Sequence, residues 1–253
     1  MSHEPHVRET PFGAAPTRPS ASGPGDRIAS GRDVAIYFRE DCRTLRDSLQ
    51  LEMVVAQYCM RMRDVRTTDG VPVGDAVALR VVAELEHEAD ELSHAILRGI
   101  AHIAVGLMAQ RSAEAIARLC ERAVDLPTQF ADVGQAKAIG AWRTQDVEFD
   151  GEYALFADFE YPRGADHAIA LYAEPKRGGV VKHIGLLRAM RDLEPYEPFH
   201  PSAMEELDIP EAGAEIAKLL ERTYGPLGEE TDDFRVLVAA ARAKSILIEP
   251  KSG

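Results

Sequence analysis

Residues 142–173 decide the fold: they read WRTQDVEF (142–149), DG (150–151), YALFADFEY (153–161), PRG (162–164) and HAIALYA (167–173). The three longer segments alternate or are rich in β-branched and aromatic residues, which is typical of β-strands. The two short segments are turn sequences, and strands joined by such short turns pair antiparallel. The stretch therefore predicts three consecutive strands of an antiparallel sheet.

The chain after these strands continues the same architecture. Residues 180–187, which follow Gly178-Gly179, are either a fourth strand or the start of a helix. Residues 192–211 contain four prolines and predict an irregular connection. Helices are expected over about 211–224 and 232–246.

The chain before the strands follows a helical period. Apolar residues spaced by three and four predict one helix from Asp33, its N-cap, to the turn at 67–70, roughly 45 Å long. A second helix is expected from Gly74 to Ile100, a third from Ser112 towards Pro127, and a short one over 129–139. The predicted fold class is α+β, with N-terminal helices, an antiparallel sheet of three to four strands, and C-terminal helices.

Composition divides the chain into three parts. Residues 1–32 hold five prolines and few large apolar residues, so they predict a disordered arm. Residues 33–140 form the helical region, and residues 141–253 form the sheet with the C-terminal helices. We expect these last two parts to pack as one unit, because no Pro/Gly/Ser linker separates them.

The charge balance limits the partners. The chain has 253 residues and a net charge of −13, which weighs against general nucleic-acid binding. It has no apolar run long enough for a membrane span and no visible secretory leader, so a cytoplasmic location is predicted. Cys42, Cys59 and Cys120 lack the spacing of metal or redox motifs and are expected to be buried, reduced thiols.

Several short segments resemble a group of actinobacterial hypothetical proteins, over roughly three-fifths of the chain. The resemblance implies helices, then an antiparallel sheet, then helices, and it implies no activity. Where that group reads Asp-His-Asn-Leu-Gly-Gly, this chain reads EPKRGG at 174–179, which weakens a catalytic role there. The segments that carry the resemblance are LCER (119–122), AWRTQDV (141–147), HA (167–168), GGVVK (178–182), DFRVL (233–237) and AAARA (239–243).

Two Glu/His pairs raise the possibility of a metal site. Glu84 and His87, and again Glu91 and His94, stand three residues apart, so each pair shares a helix face and could chelate a transition metal. Both pairs lie on one predicted helix among further acids, which favours a solvated charged face. We therefore assign no metal ligand and keep a metal-binding helical protein as an alternative.

A basic segment offers a second candidate site. Five Lys or Arg and no acid occur between residues 176 and 191, whereas residues 192–235 carry thirteen acids and three bases. Paired glycines allow close approach of backbone N–H groups to an anion, although a turn with a basic rim fits equally well. The candidate ligand-binding residues are Lys176, Arg177, Gly178, Gly179 and Lys182.

The sequence contains no nucleophile elbow and no recognisable catalytic triad, so it predicts no catalytic residue and identifies no cofactor. The leading hypothesis is a non-enzymatic interaction or accessory protein that uses helix packing and charge complementarity, with a protein partner or a homo-oligomer. The alternative is an enzyme that binds phosphate or another small molecule near Gly178-Gly179 and Lys182.

Overall fold

The computed structural model describes residues 30–63, 65–66, 70–144, 153–164, 166–174, 180–187, 204–225, 233 and 235–248. It contains helices and one antiparallel sheet, so the α+β prediction is confirmed, with five strands instead of three or four. The helices are α1 Gly31–Cys42, α2 Ser48–Arg63, α3 Gly74–Glu88, α4 Glu91–Ile103, α5 Gly106–Glu121, α6 Ile209–Tyr224 and α7 Arg235–Ile248. The strands are β1 Lys137–Thr144, β2 Tyr153–Glu160, β3 His167–Glu174, β4 Val180–Leu187 and β5 Met204–Glu206.

The single long helix predicted from Asp33 is wrong, because the chain forms two helices there. Ser30 caps α1 in a reciprocal capping box with Asp33, so Asp33 is the third helical residue and not the cap. The Asp47 carboxylate accepts a hydrogen bond from the Gln50 N–H at 2.8 Å, which starts α2 after a short break. Apolar residues continue at helical spacing across this break, so the sequence pattern did not show it.

The second predicted helix is also two helices. Ala89 adopts a left-handed conformation with φ of 49°, which ends α3. The Asp90 carboxylate then accepts the Ser93 N–H at 2.8 Å and caps α4. The next helix, α5, begins at Gly106 with φ of 63°, six residues before the predicted start.

The predicted helix over 129–139 is wrong: a short 3-10 turn, Thr128–Phe130, precedes β1, which starts at Lys137. The predicted strand over 142–149 overlaps β1 only to Thr144, and its remainder lies outside the described residues. The segment 180–187 is a strand, and both C-terminal helices are confirmed with shifted ends. Of the connection predicted over 192–211, residues 204–206 form β5 and α6 begins at Ile209.

The strand order is β4-β3-β2-β1-β5, with every neighbour antiparallel. One face of the sheet packs against α6 and α7 in an apolar core that includes Leu155, Ile169 and Ile216. Helices α1 to α5 surround a second core. Helix α7 contributes to both cores, through Val236 on the sheet side and Val238 on the helical side, so it joins the two layers.

Among the helices of the described chain, none combines the length and the apolar character that crossing a bilayer requires. Residues 1–29, most of the predicted disordered arm, lie outside the described residues. The last three residues of that predicted arm are described: Ser30 is the N-cap of α1, and Gly31 and Arg32 are its first two residues.

Candidate functional site

Helix α4 carries three basic side chains at four-residue spacing: His94, Arg98 and His102. Residues four apart lie on one face of a helix, so these three share a stripe. At the His94 end the stripe meets Cys120 of α5, which we call the thiol–imidazole site. At the His102 end it meets Glu52 and Arg242, which we call the buried ion cluster.

The thiol–imidazole site depends on the orientation of the His94 ring. His94 is buried, and its Nδ1 lies 2.7 Å from the Val124 carbonyl oxygen. A carbonyl oxygen only accepts hydrogen bonds, so Nδ1 carries the proton and donates it. In the neutral ring Nε2 is then unprotonated, and it faces the Cys120 Sγ at 4.0 Å. This tautomer can accept a proton from the thiol.

The turn after α5 sets this geometry. Ala123 adopts φ of 55°, a left-handed conformation that residues other than glycine rarely take. The Val124 N–H donates to the Leu119 carbonyl at 3.1 Å, which closes the end of the helix. The same turn places the Val124 carbonyl oxygen within hydrogen-bond distance of the His94 Nδ1.

Cys120 opens onto a cavity of about 470 Å³, a size that suits a small molecule. The expectation that all three cysteines are buried is wrong, since Cys120 is exposed and only Cys42 and Cys59 are buried. Burial raises the pKa of Cys42 far above its usual range and that of Cys59 to about 12. The cavity lining includes His94, Arg98, Ile116, Cys120, Asp125 and Leu126.

The position of Cys120 gives its thiolate no help from the helix. Cys120 lies in the last turn of α5, where the helix dipole is negative and disfavours an added negative charge. A base for this thiol would therefore have to come from a neighbouring side chain, and His94 Nε2 is placed to act as one.

The buried ion cluster centres on Arg242 of α7, which is fully buried together with Glu52 of α2. The Arg242 Nη2 donates to Glu52 at 2.5 Å and to the Tyr161 hydroxyl at 2.6 Å. Its Nε donates to the His167 Nε2 at 2.9 Å, and its Nη1 lies 3.3 Å from the His102 Nε2. These contacts tie α2, α4 and α7 to the hairpin between β2 and β3.

Aromatic rings and a backbone amide complete the cluster. The Arg242 guanidinium lies 5.7 Å from the Phe159 ring centroid and 5.4 Å from that of Tyr161, within the range of cation–π attraction. The second oxygen of Glu52 accepts the Gly134 N–H at 2.8 Å. Both oxygens of the buried carboxylate are thus satisfied.

These surroundings lower the pKa of both Glu52 and His102. Burial alone would raise the pKa of Glu52, but Arg242, His102 and the Gly134 N–H hold it below its usual 4.5. Burial lowers the pKa of His102 below its usual 6.5, against the opposing attraction of Glu52. Glu52 is therefore charged and His102 neutral at pH 7.

The predicted ligand-binding residues do not form a described site. Lys176, Arg177, Gly178 and Gly179 lie outside the described residues. Lys182 is in β4, and its Nζ lies 3.5 Å from a carboxylate oxygen of Glu174 on β3. In the structure this lysine is thus paired across two strands.

The two Glu/His pairs are separated by the break between α3 and α4. Glu84 binds Arg80 at 2.5 Å, His94 binds Val124, and His87 and Glu91 are exposed. Across the described ranges, no three His, Cys, Asp or Glu side chains come together as a metal would require. The metal-binding alternative stays a prediction, which elemental analysis of the purified protein would test.

Comparison with family models, with curated proteins and with solved structures finds no match. The resemblance to actinobacterial hypothetical proteins therefore stays a prediction. Glu52, His102 and Arg242 were not predicted as a group, and His94 was considered for metal binding only. The available signal was a lone arginine inside the Ala-rich segment 239–243 and a lone glutamate on the apolar helix α2.

Proposed function

We propose that this protein is an enzyme in which Cys120 attacks an electrophilic carbon of a small molecule. The observation that carries the proposal is the orientation of the His94 ring: Nδ1 is held by the Val124 carbonyl, and Nε2 faces the Cys120 thiol at the edge of an open cavity. The Sγ–carbon bond forms as the bond to the leaving group breaks. The thiol proton passes to His94 Nε2, which can then donate it to the leaving group.

The proposal predicts selective alkylation of Cys120 by iodoacetamide in the folded protein. Cys42 and Cys59 are buried and serve as internal controls that should stay unmodified. At pH 7, His94→Gln should slow the alkylation of Cys120 by about tenfold or more, because the proton acceptor is lost. Peptide mass spectrometry over a time course gives the rate at each cysteine.

The matched control is His87→Gln, which removes an exposed histidine of α3 and should leave the Cys120 rate unchanged. Thermal unfolding of each variant checks that the fold is retained. A Cys120 rate that equals that of N-acetylcysteine and is unaffected by His94→Gln would refute the enzymatic proposal.

A second candidate function is the interaction or accessory role predicted from the sequence. It is supported by Ile36 and Tyr37, adjacent residues of α1 whose exposed fractions are 49% and 65%. Exposed apolar side chains that cluster are typical of protein interfaces. A cytoplasmic location belongs to the same proposal, and the three free cysteines agree with a reducing compartment.

This second candidate predicts self-association or a stable complex through α1. Sedimentation velocity at micromolar concentration should show an oligomer that the double variant Ile36→Ser, Tyr37→Ser dissociates. Leu107→Ser, which changes an exposed apolar side chain of α5, is the matched control and should not alter the oligomer. A monomeric wild-type protein that co-purifies with no partner from its native host would contradict this role.

A further inference from the structure

We propose that the substrate of Cys120 carries a carboxylate and that Arg98 determines this specificity by binding it. The inference rests on the proposed function of Cys120 as a nucleophile. It names the chemical class of the molecule that the cavity takes: a small carboxylate whose electrophilic carbon reaches Sγ.

The first support is the placement of Arg98. It lies one helical turn after His94 on α4, and both residues line the cavity together with Cys120. A molecule in this cavity can therefore contact both Cys120 and Arg98. The volume of about 470 Å³ suits a small metabolite and is too small for a folded partner.

The second support is that Arg98 has no partner within the part of the chain that the structure describes. Among the described residues, no carboxylate or other acceptor forms an ion pair or hydrogen bond with its guanidinium. Comparable half-buried or buried arginines are paired: Arg39 with Glu88 and Asp90, Arg143 with Glu205, and Arg242 with Glu52. An unpaired guanidinium in a chain of net charge −13 is thus available for an external anion.

The third support is chemical fit. A guanidinium presents parallel N–H donors that match the two oxygens of a carboxylate. Asp125, which is exposed, also lines the cavity, and its negative charge disfavours an anion placed next to it. The two charges together orient a molecule with a single carboxylate, whose acid group lies at Arg98 and whose neutral part lies towards Asp125.

The test compares two alkylating reagents that differ by one charge. Iodoacetate carries a carboxylate and iodoacetamide does not, and both react in the same way: the S–C bond forms, the C–I bond breaks, iodide leaves, and the thiol proton passes to His94 and then to solvent. The ratio of the two rate constants at Cys120 is divided by the same ratio for N-acetylcysteine. We expect this normalised ratio to be about ten, in favour of iodoacetate.

Arg98→Gln should return the normalised ratio to about one, and because the ratio compares two reagents on the same variant, it is insensitive to any general change in the reactivity of Cys120. Arg122→Gln is the matched control, because Arg122 is close to Cys120 in sequence but does not line the cavity. In the wild-type protein, acetate should also slow alkylation by iodoacetamide more than acetamide does. This last measurement needs no variant and so holds even if Arg98→Gln does not fold.

The outcomes separate the two proposals. If both reagents modify Cys120 slowly and His94→Gln has no effect, the proposed nucleophile is wrong. If iodoacetamide reacts fast and depends on His94, but the normalised ratio is about one and acetate gives no protection, the nucleophile stands and the carboxylate specificity of Arg98 is overturned. An equal drop of the ratio in Arg122→Gln would also overturn it, since general positive charge would then explain the preference.

Discussion

Replacing Arg242 with methionine is expected to lower the free energy of unfolding by about 3–5 kcal/mol, because it leaves the buried Glu52 carboxylate without its counter-charge. Glu52 and Arg242 are both fully buried, so water cannot replace the lost partner. The Tyr161 hydroxyl and the His167 Nε2 also lose their donor. Equilibrium unfolding in urea, monitored by circular dichroism, gives the free energy.

Two further variants test whether the cost comes from the unpaired charge. Replacing both partners, in Glu52→Leu with Arg242→Met, should restore much of the loss, because no buried charge then remains. Arg118→Met is the matched control, since Arg118 forms an exposed ion pair with Glu86 and should destabilise the protein far less. A loss below about 1 kcal/mol in Arg242→Met would contradict the assignment of the cluster as a stabilising centre.

The sequence predicted the sheet better than the helices, for a physical reason. Strands 153–160 and 167–174 are bounded by turn residues that end pairing locally, so their limits are visible in the sequence. The breaks at 43–47 and at Ala89 occur inside continuous apolar patterns, because the helices on both sides face the same core. Only capping by Asp47 and Asp90 marks them.

The candidate sites were harder to predict because their residues are distant in sequence. Glu52 and Arg242 stand 190 positions apart, and no local pattern relates them. The sequence pattern placed His94 on a solvated charged face, whereas the structure buries it, and its role depends on the Val124 carbonyl 30 residues later. Helical periodicity makes Cys120 look like a core residue, and only packing shows that it opens onto a cavity.

Acidification is expected to destabilise the protein in two stages, of which the first begins below pH 6.5. The pKa of His102 is lower in the folded state than its usual 6.5, so the unfolded chain binds a proton that the folded chain does not. Stability from this group is complete above pH 6.5 and is lost as the pH falls through the folded pKa. Burial is the largest cause of the lowered pKa of His102; Glu52 opposes it, and the positive charges of Arg242, Lys244 and Arg98 lower the pKa further.

Urea unfolding midpoints measured from pH 8 to pH 4 report the first stage. His102→Gln should flatten the fall that begins at pH 6.5, because the titrating group is gone. His87→Gln is the control and should keep the fall, since His87 is exposed and lies outside the cluster. An unchanged slope in His102→Gln would show that another group causes the loss.

The second stage begins below pH 4.5 and comes from Glu52. Its pKa is also lower in the folded state, so the stability it provides is present above pH 4.5 and is lost as the pH falls below that value. Protonation of Glu52 leaves the Arg242 guanidinium buried without a counter-charge, which is the same change that Glu52→Gln makes at every pH. The difference in stability between wild type and Glu52→Gln should therefore be large at pH 7 and shrink steadily below pH 4.5. A difference that stays constant over this range would mean that Glu52 does not carry its charge in the folded protein.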